Sequence, residues 1–431
     1  MQNKRNQIGV FLMKAITMLH IFIISCLPWA ETVLATDLII NSSTNGYQRS
    51  PSIATNGTNY LVCWNSPHQD GYWNNVYGQF LTKDGIKIDS EFQINSYTPL
   101  HQEAPAVASN GMDYLVTWTS GAFGAEPLET GQDGSGDGIY GKFVPQTGTN
   151  LGLEFRVNAY TTNHQRFSSV ASDGQNYFAS WSTLNEDGST WGISGTKITN
   201  NSLTAGSTVI NTTTNGIQEY PAVASNGNNY LVAWETTADV GRDLYGRIIS
   251  KEGIPLGSDI PINTSIPSDQ ISAEAASDGT NYLVIWQNMN SEQGLLGQLI
   301  DSKGILIGDQ ILISASGSDE NSVCSNGSTF LVTWRGVNNL FGQYLGLNGE
   351  LIGEQFIVND DTYETVNFSD IASDGENYFV VWEASTTRAA DEHYDIYGKI
   401  LQPIPEPSAM LLFFTGLGWM IFHIKPNHNK R

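Results

Sequence analysis

Basic residues are scarce in this chain: 20 Lys and Arg stand against 43 Asp and Glu, a formal net charge of −23. Setting aside Lys4, Arg5, Lys14 and Glu31 at the start, and Lys425, Lys430 and Arg431 at the end, leaves 14 basic and 42 acidic residues, a net charge of −28. A field of that sign repels phosphates and anionic lipid. It excludes a basic-groove nucleic-acid binder and favours solubility and cation binding. Cysteine is nearly absent, with three in 431 residues. Cys26 lies in the leader, while Cys63 and Cys324 fall on repeat units that are not neighbours, so two buried thiols are expected and no disulfide. Catalytic signatures are missing as well: there is no Gly-x-Ser-x-Gly elbow, no His-Glu-x-x-His and no phosphate-cradling loop.

What is present is a repeat. Trp64, Trp118, Trp181, Trp234, Trp286, Trp334 and Trp382 follow one another at 54, 63, 53, 52, 48 and 48 residues, the period of propeller blades and longer than most helical solenoid repeats. Each is preceded by a small-residue run, a turn dipeptide and an aromatic-apolar run. The dipeptides are Asn56-Gly57, Asn110-Gly111, Asp173-Gly174, Asn226-Gly227, Asp278-Gly279, Asn326-Gly327 and Asp374-Gly375. Such pairs tolerate positive φ and read as hairpin connections between two strands, a and b. After each Trp comes a loop of variable length and a third strand, c, expected to end at a Gly, as in Val76-Tyr77-Gly78 or Ile396-Tyr397-Gly398. A fourth strand, d, ends in Ile-Asn or Val-Asn.

Only six such endings follow the seven tryptophans. The seventh, Leu38-Ile39-Ile40-Asn41, precedes the first unit, whereas the last unit stops after Ile400-Leu401. The expected architecture is therefore all-β: a seven-bladed β-propeller of four-stranded blades, residues 36–402, closed by the N-terminal strand, which removes two sheet edges. Ala54, Ala108, Ala171, Ala224, Ala276, Cys324 and Ala372 form one column in strand a, where the innermost strands converge. The Trp column is expected to fill the space between sheets. Burying one indole removes roughly 150–250 Å² from water, at most about 4 kcal/mol.

Both ends read as envelope addresses. Residues 1–35 have a basic start, an apolar stretch from Ala15 to Ala30 and a Val33-Leu34-Ala35 ending, the three-part build of a secretory signal peptide with processing after Ala35; a lipoprotein leader at Cys26 ranks second. Residues 403–431 hold Pro405-Glu406-Pro407, an apolar run at 409–424 and a basic tail. Sixteen residues are marginal for a bilayer crossing, which suits a transient inner-membrane anchor, with a permanent single-pass anchor as the alternative. This segment resembles the PEP-CTERM sorting signal of exported bacterial proteins. That resemblance implies processing near Pro405, Glu406 and Pro407 by an exosortase and a place at the cell surface or in the extracellular matrix. A second resemblance rests on Gln132-Asp-Gly-Ser-Gly-Asp-Gly-Ile-Tyr-Gly141, Leu153-Glu-Phe-Arg-Val-Asn158 and Tyr177…Trp181, which are similar to repeats of secreted bacterial surface and adhesin-type proteins. It implies exposure and binding, and carries over no catalytic residue.

In a four-stranded blade the b–c and d–a loops share one face, where binding is to be sought. Residues repeated in every blade serve the fold, so the singular ones are the candidates. Asp133, Ser135 and Asp137 place oxygens at alternate positions around glycines, like the first half of a calcium loop whose second half is missing, because Val144 stands at the twelfth place. The competing reading is a solvated Gly-rich loop. Tyr72, Trp73, Phe123 and Trp191 are loop aromatics able to stack on sugar rings or to pack locally. Asp391, Glu392 and Asp395 with His393 read as a solvated acidic loop. A recurring Gln (Gln48, Gln102, Gln165, Gln218, Gln270) is expected to bond neighbouring backbone, and the charged residues after it to ring the channel mouth. Arg49, Arg156, Arg166, Arg242, Arg247, Arg335 and Arg388 are scattered in the core sequence, which does not suggest the arginine cluster of a sialidase-like propeller.

The function expected from these features is a non-enzymatic binding or structural module of the surface or matrix, with polysaccharide as the candidate ligand and calcium as the candidate aid. A polysaccharide-active hydrolase or lyase with paired carboxylates from different blades is the alternative, and a structural spacer a third.

Overall fold

In the computed structural model, residues 36–403 are described except 45, 68–72, 122–130, 200–201, 204–205, 238–240, 264–267, 290–293, 317–319, 361–362 and 386–392. The described residues contain strands and no helix, organised as seven antiparallel sheets. The first strands of successive blades lie side by side around a ring that closes when strand a of blade 7 meets strand a of blade 1. This is a seven-bladed β-propeller. The strands a to d of blade 1 are Arg49–Thr55, Asn59–Pro67, Asn74–Thr82 and Lys87–Gln93. Those of blade 4 are Ile217–Ser225, Asn229–Thr237, Arg242–Ser250 and Pro255–Pro261. Blade 3 departs from the pattern, since two short pieces, Ser202–Leu203 and Thr208–Val209, share the outer edge of strand c.

Ring closure is the N-terminal strand, as expected. Leu38 and Ile39 pair antiparallel with Gly398 and Tyr397. Asn41 Oδ1 accepts the Ile396 amide at 2.7 Å, the bond that Asn95 makes to Val76, Asn158 to Ile139 and Asn211 to Ile193 inside their own blades. The returning strand thus reproduces the contact of a local fourth strand. Asp37 also accepts from Tyr363 at 2.8 Å, and the buried Lys399 pairs with Asp360 at 2.5 Å.

All seven tryptophans are buried, and each packs in a cluster shared with the preceding blade. Trp118 of blade 2 lies with Leu61, Cys63, Val76 and Phe80 of blade 1. Trp64 of blade 1 lies with Ile40, Phe379, Val381 and Ile396 of the seam. Cys63 and Cys324 are free thiols, pushed upward by burial, Cys324 to about 12. One boundary expectation is corrected: strand c does not end at its Gly but runs on, from Asn74 to Thr82 through Gly78. The Gly is needed for close approach, because a Cβ at Gly78 would meet Ile94 at 2.9 Å.

The recurring Gln does more than bond backbone. Its Oε1 accepts the indole N–H of its own blade's Trp, at 2.9 Å for Gln48–Trp64 and Gln102–Trp118 and 2.8 Å for Gln270–Trp286. Its Nε2 donates to carbonyls of the d–a loop, such as Thr162 and Asn215. A buried indole N–H needs a partner, and the Gln supplies one while fixing the loop. Blade 7 has Val366 at this position, and there the Trp382 N–H is buried with no partner among the described residues; the Trp181 N–H of blade 3 is left the same way, because Gln165 Oε1 accepts from Asn158 Nδ2 instead.

Candidate functional site at the channel mouth

Two residues after that Gln, strand a breaks register by a bulge. The residue at the break adopts positive φ without being glycine: Ser50 (52°), Ala104 (50°), Phe167 (56°), Tyr220 (54°), Ser272 (56°) and Phe368 (37°). Each such position costs on the order of 1–3 kcal/mol and persists only where its surroundings hold it. A side-chain oxygen of the preceding blade holds most of them. The Tyr220 amide donates to Ser182 Oγ at 3.0 Å, Phe167 to Thr119 Oγ1 at 3.2 Å, Ser272 to Glu235 Oε1 at 2.6 Å and Ser50 to Glu383 Oε2 at 2.8 Å. These acceptors all stand one residue after the blade's Trp. In blade 6 that place is Arg335, which has no acceptor, and Glu320 takes the Phe368 amide instead at 2.9 Å while pairing with Arg335 at 3.0 Å.

The bulges turn their side chains to the mouth. Tyr220 is 40% and Phe368 48% exposed, and the Phe167 and Tyr220 rings lie 4.8 Å apart at 38°. Charged residues surround this aromatic pair. Arg166 and His164 both bond the buried Asp137, the latter at 2.8 Å, and Arg242 pairs with Glu235 at 3.0 Å. Glu219 lies directly opposite Glu235 across strands a and b of blade 4. The same register brings Arg49 opposite Asn65, Glu103 opposite Thr119, Arg166 opposite Ser182, Ile271 opposite Gln287 and Asn367 opposite Glu383. Among the described residues blade 4 alone opposes two carboxylates here, an arrangement that works against folding. Burial pushes both carboxyls upward, against Arg242 and, for Glu219, Arg166. Glu235 uses both oxygens, on Arg242 and the Ser272 amide. Glu219 has no hydrogen-bond partner among the described residues.

Arginines scattered in the chain therefore reach one face, and of these Arg166 and Arg242 act on a common group, Glu219. Arg166, Arg242 and Arg335 reach this face, each against a carboxylate, and Arg49 lies 4.6 Å and 4.9 Å from the Tyr47 and Tyr394 ring centroids. Beside Arg335, where the b–c loop is shortest, a cleft of about 410 Å³ opens between blades 6 and 7 over Trp334, Phe341, Val366 and Asn367.

The channel wall carries a second departure from the repeat. Two residues before the small column stand Ser52, Ala106, Ser169, Ala222, Glu274, Ser322 and Asp370. The serines bridge blades: Ser52 Oγ accepts the Val107 amide at 3.2 Å and Ser169 Oγ that of Val223 at 3.0 Å. Asp370 takes the same role toward Ile53 at 2.9 Å, with Ser52 Oγ donating to it at 3.0 Å. Glu274 has no such partner among the described residues and is exposed to the channel; the surrounding ring, with Asp370 adding to it, pushes its carboxyl up, to about 8 at the limit where channel water screens nothing.

The expected site residues are placed as follows. Trp73 is half-buried with its ring edge-on to His101 at 4.7 Å, and the half-buried Trp191 opens strand c of blade 3. Asp133 accepts from the Ser135 amide at 3.1 Å and from Asn158, and Ser135 Oγ accepts the Asn163 amide at 3.1 Å. Asp137 faces Arg166 and His164. Each of the three is thus engaged by protein donors, and among the described residues no three His, Cys, Asp or Glu side chains are arranged to hold a metal ion. Tyr72, Phe123, Ala35, Pro405, Glu406 and Pro407 lie outside the described residues, as do Asp391 and Glu392. Sequence reasoning missed Phe167, Tyr220, Phe368 and Glu274; Glu219 it had among the charged residues after the Gln that were expected to ring the mouth. The signal was available: in repeat-aligned columns these residues replace small or neutral ones.

No protein-family model and no curated protein matches this chain. Solved structures do. A protein of unknown function from Dyadobacter fermentans DSM 18053 superposes with a TM-score of 0.52 at 9% identity, over 86% of this chain and 99% of that one. The endosialidase of phage phi92 superposes with a TM-score of 0.54 at 6% identity, over 92% of this chain and 71% of that one. At such identities the likeness is one of fold alone.

Proposed function

We propose that this protein is an exported β-propeller whose b–c and d–a face binds extracellular polysaccharide without transforming it. The observation that carries the reading is the Phe167–Tyr220 pair, with Tyr220 exposed and Phe167 half-buried, held on strained bulges by Thr119 and Ser182 and bordered by Arg166, Glu219 and Arg242. Flat aromatic faces beside polar groups suit sugar rings, whose C–H faces stack while their hydroxyls bond. The strain is consistent with a face kept in shape for a ligand. Export is supported by the leader at 1–35. Sorting by an exosortase at Pro405, Glu406 and Pro407, with a transient inner-membrane anchor at 409–424, is supported by the order of motif, apolar run and basic tail. Together these support a place at the cell surface or in the extracellular matrix. Calcium assistance through Asp133, Ser135 and Asp137 is left out, because Asp137 is already neutralised by Arg166.

The test is retention of the propeller on immobilised polysaccharides of several charge classes. Binding lost in Phe167→Ala and Tyr220→Ala supports the reading; binding to none, or binding indifferent to both variants, overturns it. A second reading is a glycan-cleaving enzyme at the same mouth. Glu219 and Glu235 favour it, since a carboxyl pushed upward is what a general acid needs, and the fold it shares with the phage phi92 endosialidase hosts such an enzyme. Release of reducing ends from a bound polymer, abolished in Glu219→Gln, would replace the first reading by the second.

A further inference from the structure

Glu219 stands out at the mouth because, among the described residues, it stays unpartnered where partners are close. Arg242 is committed to Glu235 and Arg166 to Asp137. Around the aromatic pair, three carboxylates (Asp137, Glu219, Glu235) therefore face two guanidinium groups (Arg166, Arg242), and the surplus negative charge falls on Glu219. The strand register sets this carboxylate against Glu235, and the bulge holds its neighbour Tyr220 out to solvent with Phe167 beside it. A half-buried carboxylate kept at some cost, without a donor, next to an exposed stacking surface, lacks one thing: a donor from outside. A ligand carrying positive charge would supply it and relieve the repulsion from Glu235 at the same time.

Resting on the reading of this mouth as a saccharide site, we propose that the ligand is an amino-sugar polymer with free amines, one ring stacking on Phe167 and Tyr220 while its ammonium pairs with Glu219. The net charge of −27 between the two terminal segments draws such a polycation and repels uronate or sialate chains. Neutral sugars would satisfy the stacking surface but leave the surplus charge unpaired.

Calorimetry on the whole propeller with three oligomers of equal length separates these ligands: glucosamine with free amines, at a pH where they are protonated, N-acetylglucosamine, and galacturonate. The glucosamine oligomer is expected to bind about tenfold or more tighter than its acetylated form. Glu219→Gln is expected to erase that preference with the melting temperature unchanged or raised. Tyr220→Ala should weaken both amino-sugar oligomers, and Glu354→Gln, an exposed carboxylate on the outer strand of blade 6, should change neither. Equal affinity for the acetylated oligomer, tighter binding of galacturonate, or equal losses from Glu354→Gln and Glu219→Gln would overturn the proposal while leaving a saccharide site standing. No binding of any oligomer would remove the saccharide reading along with it.

Discussion

The two ends of the seven blades obey different rules. At the a–b turns every blade repeats the same solution. The glycines from Gly57 to Gly375 all sit at φ between 82° and 90°, and the preceding Asn or Asp caps the turn, as Asn56 Oδ1 does for the Thr58 and Asn59 amides at 2.9 and 2.8 Å. At the mouth, the residue after the Gln column is Arg, Glu, Arg, Glu and Ile in blades 1 to 5 and Asn in blade 7. Both ends meet solvent, so exposure does not account for the contrast. Backbone demand does: each turn requires positive φ and two captured amides, which few side chains satisfy. The mouth demands little more than an oxygen for one bulge amide and leaves its outward residues free for a ligand. Uniformity reports the fold and variation reports the task.

That contrast is open to test, and the largest effect should come from the repeated interior. Trp118→Ala empties the space between blades 1 and 2 and is expected to cost about 3–5 kcal/mol in denaturant unfolding. Smaller effects are expected from its partner. Gln102→Ala strands a buried indole N–H and should cost about 1–3 kcal/mol, whereas Val366→Gln gives the Trp382 indole the bond seen in blades 1, 2 and 5 and should add about 1 kcal/mol. A loss in the second variant would mean that blade 7 had repacked around the valine.

Next comes the channel wall. The Glu274 carboxyl rises from 4.5 to about 8 in the fold, and that of the buried Glu383 to about 7. A raised carboxyl binds its proton more tightly folded than unfolded, so the stability it contributes is full below pH 4.5 and is lost as pH climbs toward 8. Glu274 is exposed to the channel water, which screens much of this effect, so Glu274→Gln should melt only about a degree above the parent near pH 8 and no higher below pH 4.5, measured by thermal scans across that range. A pH-independent difference would mean that Glu274 is hydrated like a surface carboxylate. The smallest effect belongs to the mouth: Tyr220→Ala is expected to shift stability by no more than about 0.5 kcal/mol. A large loss would show that Tyr220 belongs with the repeated scaffold.

Much of this was written along the chain. The seven units, the hairpin turns and the exchange of the N-terminal strand are local or periodic features, and the spacing of 16 residues that joins Gln48 to Trp64, Gln102 to Trp118 and Gln270 to Trp286 is itself periodic. The mouth was less legible. Loop aromatics such as Trp73 and Trp191 drew attention because they lie outside the columns, yet Trp73 packs on His101, while the exposed rings Tyr220 and Phe368 sit inside strand a at the bulges. No local rule announces that a Tyr or Phe will take positive φ, because the conformation is imposed by an acceptor more than 35 residues away.

From residue order alone came the number of blades, the closure and the interior, because every blade meets the same neighbours and the same packing problem recurs seven times. Tertiary structure decided which singular residues meet. It set Glu219 against Glu235 and Arg166 on Asp137, paired Phe167 with Tyr220, and brought Glu274 and Asp370 into one channel. Those meetings depend on the register across a bulge and on which blade follows which, distances through space that no periodicity along the chain encodes.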